Sequence, residues 1–211
     1  FGPVSTTYLT TIGWTHDDRD SFTFPTKGVL KRASVGVSLP TSTAAYYTAT
    51  YQHQIWLPLS AWIPGAKKWS LMLNGEISGA DGYNNDPLPF FKNFYAGGIG
   101  SVRGYEAGTL GPRDPFNGEY LGGNLRFVGN VELFFPTPGT DKSFRFSTFF
   151  DAGNVFGYGE KLQMNALRTS VGLGLSWNSP MGPLRFALSK AINSKPTDQT
   201  QAFQFTLGTA F

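Results

Sequence analysis

The sequence predicts an all-β protein, an antiparallel transmembrane β-barrel segment of about nine strands, on three observations. The first is alternation. Over Gln201 to Phe211, the residues Phe203, Phe205, Leu207 and Phe211 fall on one side of an extended chain, with Gln204, Thr206 and Gly208 on the other. A strand has a side-chain period of two, so strict alternation sets one face against an apolar phase and the other against a polar one. The second is composition: 16% of the 211 residues are aromatic and 26 are glycine, while 15% are charged, against a usual charged share of about 25%. The third is that no apolar run approaches the roughly 20 residues a membrane helix requires. A closed sheet is the other structure that hides every backbone polar group in lipid, and its strands are apolar at only every second position. A mean hydropathy of −0.18 fits that half-apolar pattern.

Nine strands are expected at about 4–14, 28–39, 46–57, 69–78, 124–135, 142–153, 166–177, 183–192 and 201–211. The clearest is 166–177, where Leu167, Thr169, Val171, Leu173, Leu175 and Trp177 share the lipid face, opposite Arg168, Ser170, Gly172, Gly174 and Ser176. By the same alternation Leu125, Phe127, Val131, Leu133 and Phe135 point outward, as do Phe144, Phe146 and Phe150 on the next strand. Asn124, Arg126, Asn130, Glu132, Arg145, Ser147 and Asp151 then point into the lumen. Trp14, Trp69 and Trp177 near strand ends suit the aromatic girdles at the two membrane interfaces. Short turns such as Pro136 to Thr140 and Asn178 to Gly182 alternate with longer connections, as periplasmic turns and extracellular loops do.

One connection, Gly79 to Gly123, shows no strand pattern and is rich in Gly, Pro and Asn. Loops longer than about 15 residues are usually functional or disordered. Within it, Phe94 to Tyr105 holds a lone Arg103 among glycines and aromatics. The glycines permit tight turns that present Arg103 at a tip. A guanidinium inside a polar lumen calls for carboxylates, and Glu132 and Asp151 lie on lumen faces of successive strands. Arg103 is therefore expected to pin the loop to the inner wall through Glu132 and Asp151, by the bidentate pairing that arginine favours. An odd strand count conflicts with antiparallel closure. The expectation is a carboxy-terminal piece of a larger barrel whose preceding strands are absent, with exposed edges prone to self-association.

The run Val102, Arg103, Gly104 and Tyr105 resembles the Val-Arg-Gly-Phe/Tyr motif in the sixth extracellular loop of the outer-membrane assembly and two-partner-secretion superfamily. Four further blocks, Phe94 to Gly98, Phe134 to Pro138, Phe149 to Phe156 and Ser179 to Phe186, together with Phe203 to Gly208, are similar to the BamA family of β-barrel assembly proteins. The resemblance spans nearly the whole chain in order. It implies the carboxy-terminal nine strands of a sixteen-stranded barrel over residues 1–211, with the 79–123 loop folded into the lumen and no POTRA domains in this stretch. It also implies a bacterial outer-membrane location, folding and insertion of unfolded outer-membrane clients without a cofactor, and accessory lipoprotein partners in the full-length protein. In that family the loop arginine meets a Glu and an Asp at the positions of Glu132 and Asp151. The resemblance further implies that the seam where first and last strands meet opens sideways, which assigns Phe203, Phe205, Leu207, Gly208 and Phe211 to the seam strand and makes Gly208 its hinge candidate. The alternative within the superfamily is a two-partner-secretion barrel that passes an unfolded polypeptide.

Other chemistry has little support. His16 and His53 are isolated, and Asp17, Asp18 and Asp20 lack the Gly and distal Glu of a calcium loop. There is no Gly-x-Ser-x-Gly elbow and no phosphate loop. With no cysteine, disulfides and thiolate metal sites are excluded, and a net charge of +3 without a basic stripe gives no reason to expect nucleic acid.

Overall fold

A computed structural model describes residues 6–66, 68–84, 86–136 and 143–208. In chain order the strands are β1 (Leu9–Asp17), β2 (Gly28–Ser38), β3 (Tyr46–Pro58), β4 (Ser70–Gly82), β5 (Gly104–Tyr105), β6 (Leu125–Pro136), β7 (Phe144–Phe156), β8 (Arg168–Ser179), β9 (Gly182–Ala191), β10 (Thr200–Gln201) and β11 (Phe203–Leu207). Nine of them form one antiparallel sheet in the order β1-β2-β3-β4-β6-β7-β8-β9-β11, and β10 and β5 form a separate two-stranded ladder. Among the described residues β1 and β11 each pair on one side only, so the sheet is open at both edges.

Alternation determines the two faces. The inner face buries Ser70, Glu132, Arg145, Ser147, Asp151 and Gln204, while the outer face exposes Ile12, Val35, Ile77, Val131, Leu173 and Phe205. A water-soluble sheet would do the reverse, and an exposed apolar band around a polar interior is the arrangement of a membrane barrel wall. At the strand ends remote from the long loop, Trp69 packs on Phe135, Phe135 stacks on Phe146, and Phe144 stacks on Trp177. Such rows match an interfacial girdle.

The structure corrects several boundaries. β1 begins at Leu9 and runs to Asp17, later than the expected 4–14, because its register runs from Leu9↔Ser38 to Asp17↔Leu30. β4 extends to Gly82, so the long loop starts at Tyr83 and not Gly79; Gly79, Ala80 and Gly82 carry no apolar signal, yet Tyr46 to Ala49 pair with this stretch. Leu167 lies before β8 and is buried where it lines an outer groove with Phe127 and Phe150. The final strand is broken at Ala202: Thr200–Gln201 leave β9 and pair with the loop. Phe211 and Thr209 lie outside the described residues, as does most of the Pro136 to Thr140 turn. Connection lengths also fail to alternate in the first half, where residues 18–27 and 59–69 outlast 39–45 on the long-loop side.

The first of these turns, at residues 18–27, is tied down at both ends. Asp17 forms an ion pair with Arg19, and Asp20 accepts from the Thr26 hydroxyl and from the amides of Thr26 and Lys27. Burial pushes the Asp20 carboxyl up, and those donors to the charged form outweigh it, holding it below the usual 3.8.

Candidate functional site

The long loop is internally structured, contrary to its patternless sequence. It carries a 3-10 turn at Phe90–Lys92, and bridges Phe94↔Gly123, Ala96↔Leu110 and Arg113↔Tyr120 fold it into a compact lobe. Gly97 sits at φ 106°, and its amide donates to the Ser101 hydroxyl, which in turn donates to the Gly97 carbonyl. This turn is open to glycine and closed to most other residues. Ala96, Val102, Tyr105 and Leu110 then bury together against Val155 of β7, so Val102 seats the motif on the wall.

Next to that apolar anchor, Arg103 enters the inner face. Its Nε donates to Asp151 Oδ2 at 2.7 Å and its Nη2 to Asp151 Oδ1 at 2.8 Å, a two-pronged pairing; Nη1 donates to Glu132 Oε2 at 2.9 Å. The Arg103 backbone amide adds a bond to Asp151 Oδ2 at 3.1 Å. Asp151 is 0% exposed. Burial by itself pushes the guanidinium pKa down, but the Glu132 charge and the Asp151 hydrogen bonds raise it overall, so Arg103 stays charged. The guanidinium also lies over the Phe149 ring, with Cζ 3.4 Å from its centroid, a cation–π contact that strengthens when desolvated.

The wall is shaped for this contact. Ser147 donates to Glu132 Oε1 at 2.5 Å, and Asn130 Nδ2 donates to Asp151 Oδ1 and to the Ser101 carbonyl. Behind Asn130 an amide relay continues from Gln52 through Asn74, each side-chain NH2 donating to the next oxygen. On β8 the positions facing the site are glycines: a Cβ at Gly172 would collide with the Phe149 ring and the Leu188 carbonyl, and one at Gly174 with Ser147. Those two glycines make room for the ring and carboxylate that receive Arg103.

The other end of the motif reaches the last strand. Gly104–Tyr105 pair with Thr200–Gln201, and Gln204 Nε2 donates to the Tyr105 carbonyl at 2.7 Å while the Gly104 amide donates to Gln204 Oε1 at 3.3 Å. Gln204 is 5% exposed. The side-chain amide thus supplies both bonds that a neighbouring strand would have made. Gly104, at φ 89°, presses close to Ser170 and Ser189. Tyr105 is fully buried, its hydroxyl donating to the Thr169 carbonyl at 3.2 Å, and burial with the nearby Asp198 charge raises it to about 12. Gly208 sits at φ 93°, and a Cβ there would meet nothing within 4 Å, so backbone conformation and not side-chain room accounts for glycine at this position.

The sequence placed Arg103, Glu132 and Asp151 together and put Gln204, Gly172 and Gly174 on the polar face, but it gave no contact with the motif to Phe149, Gln204, Gly172 or Gly174. The doublet Phe149-Phe150 was the available signal for the first, since consecutive strand residues cannot both face lipid. For Gln204 the signal was a lone polar residue between two outward phenylalanines. Among the described residues no group of His, Cys, Asp and Glu is placed to hold a metal.

An open antiparallel wall with an apolar exterior, and a long loop folded onto its polar face and held there by a buried arginine, defines this as part of an outer-membrane β-barrel. Residues 2–211 match the Omp85 superfamily domain, and the chain belongs to that superfamily. It is 39% identical to the outer membrane protein assembly factor BamA of Neisseria meningitidis over 97% of its length and 29% of that protein's. It is 34% identical to the assembly factor BamA of Nitratidesulfovibrio vulgaris over 66% of this chain and 18% of that one. A crystal structure of BamA from Haemophilus ducreyi lacking POTRA domains 1–3 superposes with a TM-score of 0.85 at 29% identity, covering 95% of this chain and 42% of that one. The chain therefore spans less than half the length of these relatives, and like them it belongs in the bacterial outer membrane.

Proposed function

We propose that this chain is the carboxy-terminal part of a sixteen-stranded assembly barrel that folds and inserts other β-barrel proteins into the bacterial outer membrane. The observation that carries the proposal is the state of the last strand. Among the described residues β11 pairs with β9 over five residues, and the chain just before it is diverted from the sheet to the loop motif, which loosens this strand where it would meet the first strand of the whole barrel. An unpaired strand edge in lipid is a template for another chain, and main-chain hydrogen bonds to an incoming client strand supply affinity without regard to its sequence. No covalent step, cofactor or nucleotide enters this scheme, so the activity is not enzymatic in the covalent sense. Clients are unfolded outer-membrane proteins, the surrounding lipid is the second partner, and accessory lipoproteins bind the full-length protein elsewhere.

In this scheme Arg103, Glu132 and Asp151 keep the loop lobe inside the wall, and Gly208 lets the strand turn after Leu207. Reconstitution of the full-length protein in liposomes tests it. Client folding that is lost with Arg103→Ala supports the assembly role, whereas ion conductance without client folding points to the polypeptide-transporting branch of the superfamily. Crosslinking a client's terminal strand to Thr206 addresses the edge directly, and absence of any adduct there counts against the seam.

A further inference from the structure

The lipid-facing surface carries a feature that the assembly scheme does not use. One cross-strand row runs His16↔Lys31↔His53↔Gly75↔Gly129↔Ala152 through β1, β2, β3, β4, β6 and β7. Leu30 is buried on the inner face and Arg32 lines the inner cavity, so Lys31 points outward by alternation. His53 points outward likewise and closes one end of an outer groove of about 410 Å³. Leu73, Phe127 and Phe150 wall that groove, and Gly75, Gly129 and Ala152 form its floor.

The floor glycines differ from those under Arg103. A Cβ at Gly75 would meet nothing within 4 Å, and one at Gly129 nothing nearer than 3.8 Å, so no protein atom occupies the space they leave. Close packing is the rule for condensed phases, and a void on a lipid-facing surface loses dispersion contacts until a hydrocarbon fills it. The row is also inclined to the membrane. His16 is the next-to-last residue of β1 and Lys31 the fourth of β2, close to the ends remote from the long loop, whereas Gly129 and Ala152 lie mid-strand. Barrel strands tilt by roughly 40°, so a row perpendicular to them climbs from headgroup level at Lys31 to the hydrocarbon at Ala152.

Among the described residues the Lys31 side chain makes no hydrogen bond or ion pair, and His16 and His53 stand directly opposite it on the neighbouring strands, His16 with its Nε2 3.7 Å from Asp18 Oδ2; directly opposed Cβ atoms lie about 5 Å apart. A cation without a protein partner at headgroup level, flanked by two imidazoles, is complementary to a phosphate. We propose that this row is a binding site for one glycerophospholipid of the leaflet remote from the long loop. Its phosphate sits on Lys31 between His16 and His53, and one acyl chain lies in the Gly75–Gly129–Ala152 groove. The proposal stands on the lipid-facing sheet alone and is independent of the assembly activity.

Native mass spectrometry of the full-length protein released from detergent micelles, titrated with phosphatidylglycerol, tests it. A basic residue near an anionic headgroup layer is worth about fivefold in binding, so Lys31→Gln weakens the first lipid bound by about that factor and Lys31→Arg retains it. Gly129→Leu fills the groove and weakens it comparably with the charge intact. Lys190→Gln, on the outward face of β9 away from the groove, leaves it unchanged. All four substitutions face lipid, and heat-modifiable gel mobility verifies the folded barrel. Equal effects of Lys31→Gln and Lys190→Gln, or no effect of Gly129→Leu, overturn the site.

Discussion

Asp151 and Glu132 both receive Arg103, but the structure makes them unequal, and their amide variants measure the difference. Asp151 accepts Arg103 N and Nε on one oxygen and Arg103 Nη2 and Asn130 Nδ2 on the other. In Asp151→Asn either orientation turns an NH2 toward two donors, so two bonds are lost and donors face each other. The guanidinium also loses its closest buried counter-charge, and breaking a buried pair in this way costs about 3–5 kcal/mol. Glu132 accepts one Arg103 bond and the Ser147 hydroxyl. Glutamine keeps its oxygen on Nη1 and turns its NH2 to a hydroxyl that can accept, so Glu132→Gln removes one of two counter-charges but no bond, and with Asp151 still paired to the guanidinium the cost is about 1–1.5 kcal/mol. Hydrogen exchange of the peptide spanning residues 97–110, in the full-length protein in lipid nanodiscs, reads the opening of the loop. Exchange rises by about two to three and a half powers of ten in Asp151→Asn and by about tenfold or less in Glu132→Gln. An equal response from the two variants, or less than tenfold from Asp151→Asn, refutes the unequal division of the pin.

Three further outcomes follow from the same geometry. Gly172→Ala drives a methyl into the Phe149 ring and the Leu188 carbonyl, an overpacking worth about 1–3 kcal/mol of lost stability, whereas Gly75→Ala meets open space and is neutral or gains up to about 1 kcal/mol; denaturant midpoints that match for the two refute the contrast. Arg103→Ala and Gln204→Leu each raise exchange through Phe203–Leu207 by about tenfold, because the first frees the loop from the wall and the second removes its side-chain bonds to the last strand, leaving only the short Gly104–Tyr105 ladder with Thr200–Gln201, and the double variant adds nothing further; additive effects show that the two contacts are independent. Asp20 has a folded-state pKa depressed below 3.8, so its contribution is fully present above the unfolded value and disappears as pH falls through the folded one. The Thr26 and Lys27 amides that donate to it lose exchange protection on acidification from about pH 5 to about pH 2, and constant protection over that range refutes the assignment.

What the sequence made legible was whatever depends on the period of two. The inward placing of Glu132 and Asp151 and the outward placing of Phe127, Val131 and Phe150 need only alternation, and these residues fall on those faces. Two kinds of information were invisible. Gly79 to Gly82 are held in β4 by pairing with β3, a tertiary cause that leaves no apolar mark. The break at Ala202 arises because the loop competes with β9 for the last residues, and no local propensity encodes a partner about a hundred positions away. Alternation placed Glu132 and Asp151 on the inner face as partners for Arg103, and the family resemblance agreed; neither supplied the Gln204 contact.

The two tethers of the loop motif also differ in strength, and the difference sets an order of events. At the wall Arg103 is held by two buried carboxylates and a stacked ring, an arrangement whose disruption costs about 3–5 kcal/mol. At the last strand Gln204 offers two neutral hydrogen bonds, each worth about 0.5–1.5 kcal/mol net, beside a ladder of only two residue pairs between Gly104–Tyr105 and Thr200–Gln201. Thermal or client-driven opening therefore breaks the Gln204 contact first and leaves Arg103 in place. The segment leading into β11 is correspondingly diverted from β9 at Thr200–Gln201, whereas β6 and β7, which carry Glu132 and Asp151, pair on both sides along most of their length. The pinned loop is then a fixed point of the wall against which the final strand moves. Interchanging the two strengths would couple every opening of the edge to ejection of the whole lobe from the lumen.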